Sequence, residues 1–155
     1  MKTLEIGDQV PSFEGVDQND KKVSSSDFSG GKWAVYFYPK DNTPGCTAQA
    51  CSLRDGYAEL LRNGIKVLGV SADSVKSHDK FSTKFTLPFS LLSDESKEVI
   101  NAFGVWGLKK FMGREYEGIH RITFVMDESG KILHAIQKPK TKDHANEILQ
   151  LLNLK

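Results

Sequence analysis

The chain has 155 residues, of which 39% are hydrophobic and 26% are charged, and its formal net charge is +1. This composition is ordinary for a folded globular protein, and it gives no reason to expect a nucleic-acid surface or a basic membrane patch. The two cysteines, Cys46 and Cys51, are too few for a disulfide-stapled secreted scaffold. We expect a single domain over residues 1–155, large enough to bury its own core.

The N-terminal segment, residues 1–13, is polar and mixed in charge, and it lacks the apolar stretch of a secretory signal. No apolar run approaches the roughly 18 residues that a membrane-spanning helix requires. We therefore expect a cytoplasmic protein. Thiols are kept reduced in that compartment, so a cysteine pair there is more often catalytic or metal-binding than structural.

Hydrophobic periodicity predicts strands that alternate with helices, followed by a terminal hairpin and helix, which indicates a three-layer α/β domain. The run from Trp33 to Tyr38 is continuously apolar, as expected of a strand buried on both faces. Trp106 to Gly118 is rich in glycine and basic residues and is predicted as a loop. The other predicted elements are a hairpin over 13–23, a helix over 43–63 ended by Gly64, a strand over 65–70, a helix over 75–85, a strand over 89–92, a helix capped by Asp94 and ending before Gly104, a hairpin over 121–136 and a C-terminal helix.

Both cysteines lie in the helix predicted to begin near Thr43, and only Cys46 lies at its start. Thr43 is suited to the N-cap position and Pro44 to the first helical position. Cys46 then falls in the first helical turn, where unpaired backbone N–H groups and the positive end of the helix dipole stabilise negative charge. This environment favours the thiolate, which is the reactive form of cysteine.

Arg121 is the candidate cation beside this thiolate, because it opens an otherwise apolar strand, Ile-Thr-Phe-Val. A guanidinium at that point could stabilise a thiolate and hold a polar oxygen substrate with its fork of donors. Sequence alone does not show that Arg121 approaches Cys46. An exposed position on an edge strand is an equally open interpretation.

The two cysteines admit other interpretations. A buried cysteine is often an inert core residue. A metal site is disfavoured, because two cysteines supply only two ligands and the histidines have no ligand spacing; they are His78, His120, His134 and His144. A thioredoxin-type oxidoreductase is expected to carry Cys-x-x-Cys, and the spacing here is longer.

The segment from Phe37 to Asp55 resembles the active-site segment of peroxiredoxins, and more narrowly that of the bacterioferritin comigratory protein (PrxQ) subfamily. The peroxiredoxin pattern Pro-x-x-x-Thr-x-x-Cys is met by Pro39, Thr43 and Cys46. The segments 106–113 and 118–124 also resemble this family, and the likeness extends over essentially the whole chain. The resemblance implies these roles: Cys46 peroxidatic, Cys51 resolving, Thr43 hydrogen-bonded to the peroxide, Pro39 shielding the pocket and Arg121 the active-site arginine.

The same resemblance implies a thioredoxin-like fold, with a central mixed sheet flanked by helices and an N-terminal β-hairpin extension. It also implies a hydroperoxide substrate, either hydrogen peroxide or an alkyl hydroperoxide, and a reductant that is thioredoxin or a similar dithiol. We expect a monomer that needs no metal, flavin or haem. Two alternatives remain, a protein dithiol–disulfide oxidoreductase and a non-enzymatic thiol redox sensor. The cysteine spacing and Thr43 disfavour the first, and nothing in the sequence excludes the second.

Helix geometry adds a constraint on the two cysteines. Two residues five positions apart on a regular helix have Cα atoms about 8.7 Å apart. A disulfide requires Cα atoms within roughly 7 Å and converging Cβ vectors. We therefore expect a continuous helix in the reduced protein and an unwound segment around 46–54 in the disulfide form.

Overall fold

The structure is a computed structural model that describes residues 2–154. Its strands are β1 (Glu14–Val16), β2 (Lys22–Ser24), β3 (Trp33–Phe37), β4 (Lys66–Ser71), β5 (Ser90–Ser93), β6 (Trp106–Phe111), β7 (Arg114–Ile119), β8 (Ile122–Met126) and β9 (Ile132–Ile136). Its helices are α1 (Pro44–Asp55), α2 (Tyr57–Arg62), α3 (Val75–Phe85), α4 (Glu98–Phe103) and α5 (His144–Leu151). Within residues 2–154, no helix combines the length and the apolar character needed to cross a bilayer.

A mixed sheet in the order β2-β1-β5-β4-β3-β8-β9 forms the centre of the fold. Strand β3 is buried along its whole length, and it pairs in parallel with β4 and antiparallel with β8. Its alternate residues serve two separate cores. Val35 and Phe37 join one cluster with α4, and Ala34 and Tyr36 join another with α1, α2, α3 and α5. The prediction of a strand buried on both faces is therefore confirmed, as is a three-layer arrangement.

The N-terminal hairpin is also confirmed, since β1 and β2 pair antiparallel and β1 continues the sheet beside β5. Helix α3 has the predicted bounds, and Gly64 has the expected left-handed conformation at φ 76°. Asp94 accepts a hydrogen bond from the backbone N–H of Ile100 at 2.8 Å. It therefore caps the first turn of α4 as predicted, although Lys97 occupies the N-cap position itself.

The predicted single helix over 43–63 is wrong, because the chain breaks into α1 and α2 at Gly56. The reason lies in tertiary packing. A Cβ atom built on Gly56 would lie only 2.4 Å from the Cβ of Ala145, so the absence of a side chain lets α5 pack directly against this junction. The helix propensity of one segment contains no information about where a distant helix packs against it.

The predicted loop from Trp106 to Gly118 is also wrong. Strands β6 and β7 form an antiparallel ribbon whose register runs from Trp106 opposite Ile119 to Phe111 opposite Arg114. Met112 and Gly113 form the connection, and both have positive φ, 51° and 78°. Two positive φ values in a two-residue loop suit the twist of a tight hairpin. Most of the ribbon is exposed, so its sequence lacks the alternation of apolar and polar residues that a strand with one buried face shows.

The close packing at Gly56 generates a stability prediction. Gly56→Ala should lower the free energy of unfolding of the reduced protein by about 1–3 kcal/mol, because the added methyl group overpacks the α1–α5 contact. Urea denaturation followed by circular dichroism measures the change.

Gly31→Ala is the matched control, since a Cβ at Gly31 would make only an ordinary contact, 3.5 Å from the Gly64 carbonyl oxygen. Its effect should stay within about 0.5 kcal/mol. In an Ala145→Gly background, which removes the clashing methyl group, the cost of Gly56→Ala should fall. An unchanged cost in that background would contradict the steric explanation.

Candidate active site

The sulfur of Cys46 lies in the first turn of α1, and the residue is only 1% exposed. Pro44 occupies the first helical position, as predicted, and Thr43 occupies the N-cap position with extended backbone angles. The backbone N–H of Thr47 donates to the Thr43 carbonyl at 2.8 Å and starts the helical ladder. The N–H groups of Gly45 and Cys46 therefore belong to the turn that has no intrahelical acceptors.

The expected capping bond from the Thr43 side chain is not formed. Instead, the Thr43 hydroxyl donates to the carbonyl oxygen of Lys40 at 2.9 Å, and no side chain caps α1 among the residues described. Two consequences follow. The first-turn N–H groups are not used by a cap, and the Thr43 oxygen keeps lone pairs that can accept an O–H donor.

Arg121 lies directly against Cys46. Its Nη2 is 3.3 Å from the Cys46 Sγ, and its Nη1 donates to the Gln49 Oε1 at 2.7 Å. The residue is half-buried and precedes β8, which lies between β3 and β9 inside the sheet. The alternative of an exposed edge-strand arginine is therefore wrong.

Gln49 and Gly45 are site residues that the sequence analysis missed. Gln49 is fully buried one turn after Cys46 on α1, and its amide oxygen fixes one arm of the guanidinium. A Cβ at Gly45 would lie 3.1 Å from the Arg121 Nη2, so the missing side chain leaves room for the arginine over the helix start. A polar residue three positions after Cys46, on the face shared with Ala50 and Leu53, was the available signal for Gln49.

Two further ionisable groups respond to the charge of the site. Burial raises the pKa of Tyr36 well above its usual value, and the negative charges of Cys46 and Asp41 add to this shift while Arg121 opposes it. Burial and the repulsion of Arg121 lower the pKa of Lys109, whereas Cys46 raises it. The Lys109 ammonium donates to the Ile119 carbonyl at 2.9 Å, so a second cation from the β6–β7 ribbon lies in the electrostatic range of the thiol.

Cys51 lies further along α1, is half-buried and carries a free thiol like Cys46. The helix between the two is uninterrupted, as expected for the reduced protein. Pro39 is half-buried just beyond the end of β3, in the loop that leads to α1.

The histidines are spread over several elements. His78 bonds to Asp41, His120 to the Leu108 carbonyl, and His144 to both Thr123 and Glu147. Burial lowers the pKa of His144, although Glu147 opposes the shift. These contacts give each of the three a hydrogen-bonding role.

Comparison with known proteins also points to a cysteine-based peroxidase. Residues 6–135 match the model of the AhpC/TSA family. The putative peroxiredoxin bcp of Haemophilus influenzae is 51% identical over 152 residues, which cover 98% of each chain. Peroxiredoxin Bcp of Escherichia coli K12 is 48% identical and covers 98% of this chain and 97% of its own.

Solved structures show the same relationship. A cysteine-to-serine mutant of Xylella fastidiosa PrxQ superposes with a TM-score of 0.91 at 32% identity, covering 99% of this chain and 98% of its own. The Xanthomonas campestris bacterioferritin comigratory protein, studied for its alkyl peroxide reduction activity, superposes with a TM-score of 0.84 at 35% identity, covering 91% and 90%. The predicted thioredoxin-like fold is thereby confirmed. The chain belongs to the AhpC/TSA family and, within it, to the bacterioferritin comigratory protein (PrxQ) group of peroxiredoxins.

Proposed function

We propose that this chain reduces hydrogen peroxide and alkyl hydroperoxides with Cys46 as the attacking thiol. The observation that carries this assignment is the 3.3 Å contact between the Arg121 Nη2 and the buried Cys46 Sγ at the start of α1. A guanidinium and a helix N-terminus both stabilise the thiolate, which is the nucleophile. Gln49 keeps the second arm of Arg121 in place.

In the first step, the Cys46 thiolate attacks the terminal oxygen of the hydroperoxide in line with the O–O bond. The S–O bond forms as the O–O bond breaks, so that Cys46 becomes a sulfenic acid and the alkoxide leaves and takes a proton from solvent. Arg121 and the first-turn N–H groups donate to the oxygens as negative charge moves onto the leaving group, and the Thr43 oxygen accepts from the O–H of the hydroperoxide. Pro39 shields the pocket from the side of the loop.

In the second step, the Cys51 sulfur attacks the sulfenic sulfur of Cys46. A disulfide forms, and the hydroxyl leaves as water with the Cys51 proton. A reduced dithiol protein, which we propose to be thioredoxin or a relative, then restores both thiols by exchange. The proposed enzyme acts as a monomer in the cytoplasm and uses no metal, flavin or haem.

The second step requires α1 to open, because its regular geometry holds the two Cα atoms about 8.7 Å apart. Unwinding around residues 46–54 would also separate Gln49 from Arg121 and dismantle the peroxide pocket. Such openings are drawn from the least stable parts of a fold. Thr47, Ala48 and Cys51 are half-buried, whereas Cys46, Gln49, Ala50 and Leu53 are buried, so the opening would expose one buried face of the helix.

Burial of Cys46 favours a peroxidase over a protein dithiol–disulfide oxidoreductase. With 1% of the residue exposed, the Cys46 sulfur is inaccessible to a disulfide on a folded partner in the reduced enzyme, which favours a small substrate. A redox sensor would react with peroxide slowly and would show no turnover. Steady-state peroxide consumption therefore separates the three functions.

The two cysteines should have unequal roles. Cys46→Ser should abolish peroxide consumption in an assay coupled to thioredoxin, its reductase and reduced nicotinamide cofactor. Cys51→Ser should complete one turnover and stop at a sulfenic acid that dimedone traps on Cys46, because no resolving thiol is present. A fast peroxide reaction in the Cys46→Ser protein would overturn the assignment.

Arg121 should stabilise both the thiolate and the transition state. Arg121→Gln should slow oxidation of Cys46 by hydrogen peroxide about 100-fold or more, measured by stopped flow, because a positioned donor to the leaving oxygen is lost. Arg121→Lys should recover only part of the rate, since an ammonium lacks the planar fork.

Arg62→Gln is the matched control for a lost arginine, because Arg62 is exposed on α2 and pairs only weakly with Glu59 at 3.7 Å. Its oxidation rate should equal that of the unmodified protein. Equal rates for Arg121→Gln and Arg62→Gln would remove Arg121 from the mechanism.

The disulfide form should be locally unwound. Amide hydrogen exchange across residues 47–54 should be faster in the disulfide form than in the reduced form, because the helical hydrogen bonds there are lost. Helix α4 is the internal control, since it packs in the other core and should exchange equally in both forms. Equal protection of residues 47–54 in both forms would show that no unwinding occurs.

A further inference from the structure

A buried polar cluster holds the loop between β3 and α1. Its centre is Asp41, which is 7% exposed, and His78 on α3, which is fully buried. The Asp41 Oδ2 accepts from the Ser77 hydroxyl at 2.8 Å and shares a hydrogen bond of 2.7 Å with the His78 Nδ1. The Asp41 Oδ1 accepts from the Tyr38 hydroxyl at 2.6 Å. Three hydrogen bonds therefore converge on one carboxyl group.

Both nitrogens of the His78 ring face acceptors. Nδ1 faces the Asp41 carboxylate, and Nε2 lies 3.0 Å from the Leu92 carbonyl oxygen. A carbonyl oxygen has no hydrogen to donate, so Nε2 is the donor in that contact, and Nδ1 shares a second hydrogen bond with the Asp41 carboxyl group. The His78 ring thus links β5 to the active-site loop.

The backbone of Asp41 is fixed as firmly as its side chain. Its N–H donates to the Asp73 Oδ2 at 2.9 Å, and Ser71 donates to the same oxygen at 2.6 Å. This N–H and the carbonyl of Lys40 belong to one planar peptide unit. The Lys40 carbonyl is the acceptor of the Thr43 hydroxyl at 2.9 Å. Fixing Asp41 therefore fixes the direction in which the Thr43 hydroxyl points its hydrogen and its free lone pairs.

We propose that Asp41, held by His78, is a positioning residue for peroxide reduction that orients the Thr43 hydroxyl through the Lys40–Asp41 peptide plane. This inference rests on the proposed function and extends it to residues that never touch the substrate. The role of the Asp41–His78 contact lies in geometry, since it fixes the one peptide plane whose carbonyl accepts from the Thr43 hydroxyl.

Two substitutions of His78 separate its two hydrogen bonds. The side-chain nitrogen of asparagine lies as many bonds from Cα as Nδ1 does, and that of glutamine as many as Nε2 does. His78→Asn can therefore keep the bond to Asp41, and His78→Gln can keep the bond to the Leu92 carbonyl. Both remove the ring, so any general loss of packing affects both, and thermal unfolding measures that loss.

The proposal predicts unequal rates for this pair. Oxidation of Cys46 by hydrogen peroxide in stopped flow should slow about 10- to 100-fold in His78→Gln and less than about threefold in His78→Asn, because a small misplacement of a positioned group has large effects on rate. Alkylation of Cys46 by iodoacetamide, which does not need the oriented hydroxyl, should be similar in both variants. In a Thr43→Val background the difference between the variants should disappear, because the group through which they act is gone.

Equal peroxide rates for the two variants, or a difference that persists with Thr43→Val, would overturn the positioning role while leaving the peroxidase function intact. Alkylation that slows in parallel with peroxide reduction would also overturn it, since the thiol itself would then be affected. An unmodified protein that does not consume hydrogen peroxide would overturn the proposed function as well. The unmodified protein is measured in the same series, so the two failures are distinct.

Discussion

The contact between the Arg121 guanidinium and the Cys46 sulfur joins two segments that are distant in sequence, and the site depends on it. Strand pairing makes it possible. Phe37 at the end of β3 lies opposite Ile122 at the start of β8, so the chain leaves one strand where it enters the other. The helix that follows β3 therefore starts beside the residue that precedes β8. Gly45 then leaves the space that the guanidinium occupies.

The elements that were predicted correctly carry their signal locally, and those that were missed do not. Strand β3 is a continuous apolar run, and α3 has its own capping serine, Ser74, which accepts from Ser77. The break at Gly56 comes from α5, which is far away in sequence. The β6–β7 ribbon is largely exposed, so no buried face imposes the period-two alternation that identifies a strand.

The same distinction applies to the site. Residue type and the position of a helix start were enough to select Cys46, and Arg121 was selected because it opens an apolar strand. Thr43 was selected as the N-cap, and its catalytic role came from the resemblance to peroxiredoxins. The direction of the Thr43 hydroxyl was not predictable, because it depends on a carbonyl acceptor that only the folded loop presents. Gln49 was missed because a buried glutamine among apolar residues is meaningful only once its partner, Arg121, is known.

Hydrogen bonds to other parts of the fold anchor both ends of α1, and this would confine the proposed unwinding to the middle of the helix. Downstream, Arg54 donates to the Phe85 carbonyl at 2.8 Å and Ser52 accepts from the His144 N–H at 3.3 Å. Gln49 lies between these two contacts and Asp41. Its buried Nε2 has no hydrogen-bond partner among the described residues. Such a group costs about 1–3 kcal/mol. Unwinding would return that amide to water, so the reduced helix contains a local destabilisation that lowers the free energy of opening where the proposed disulfide needs it.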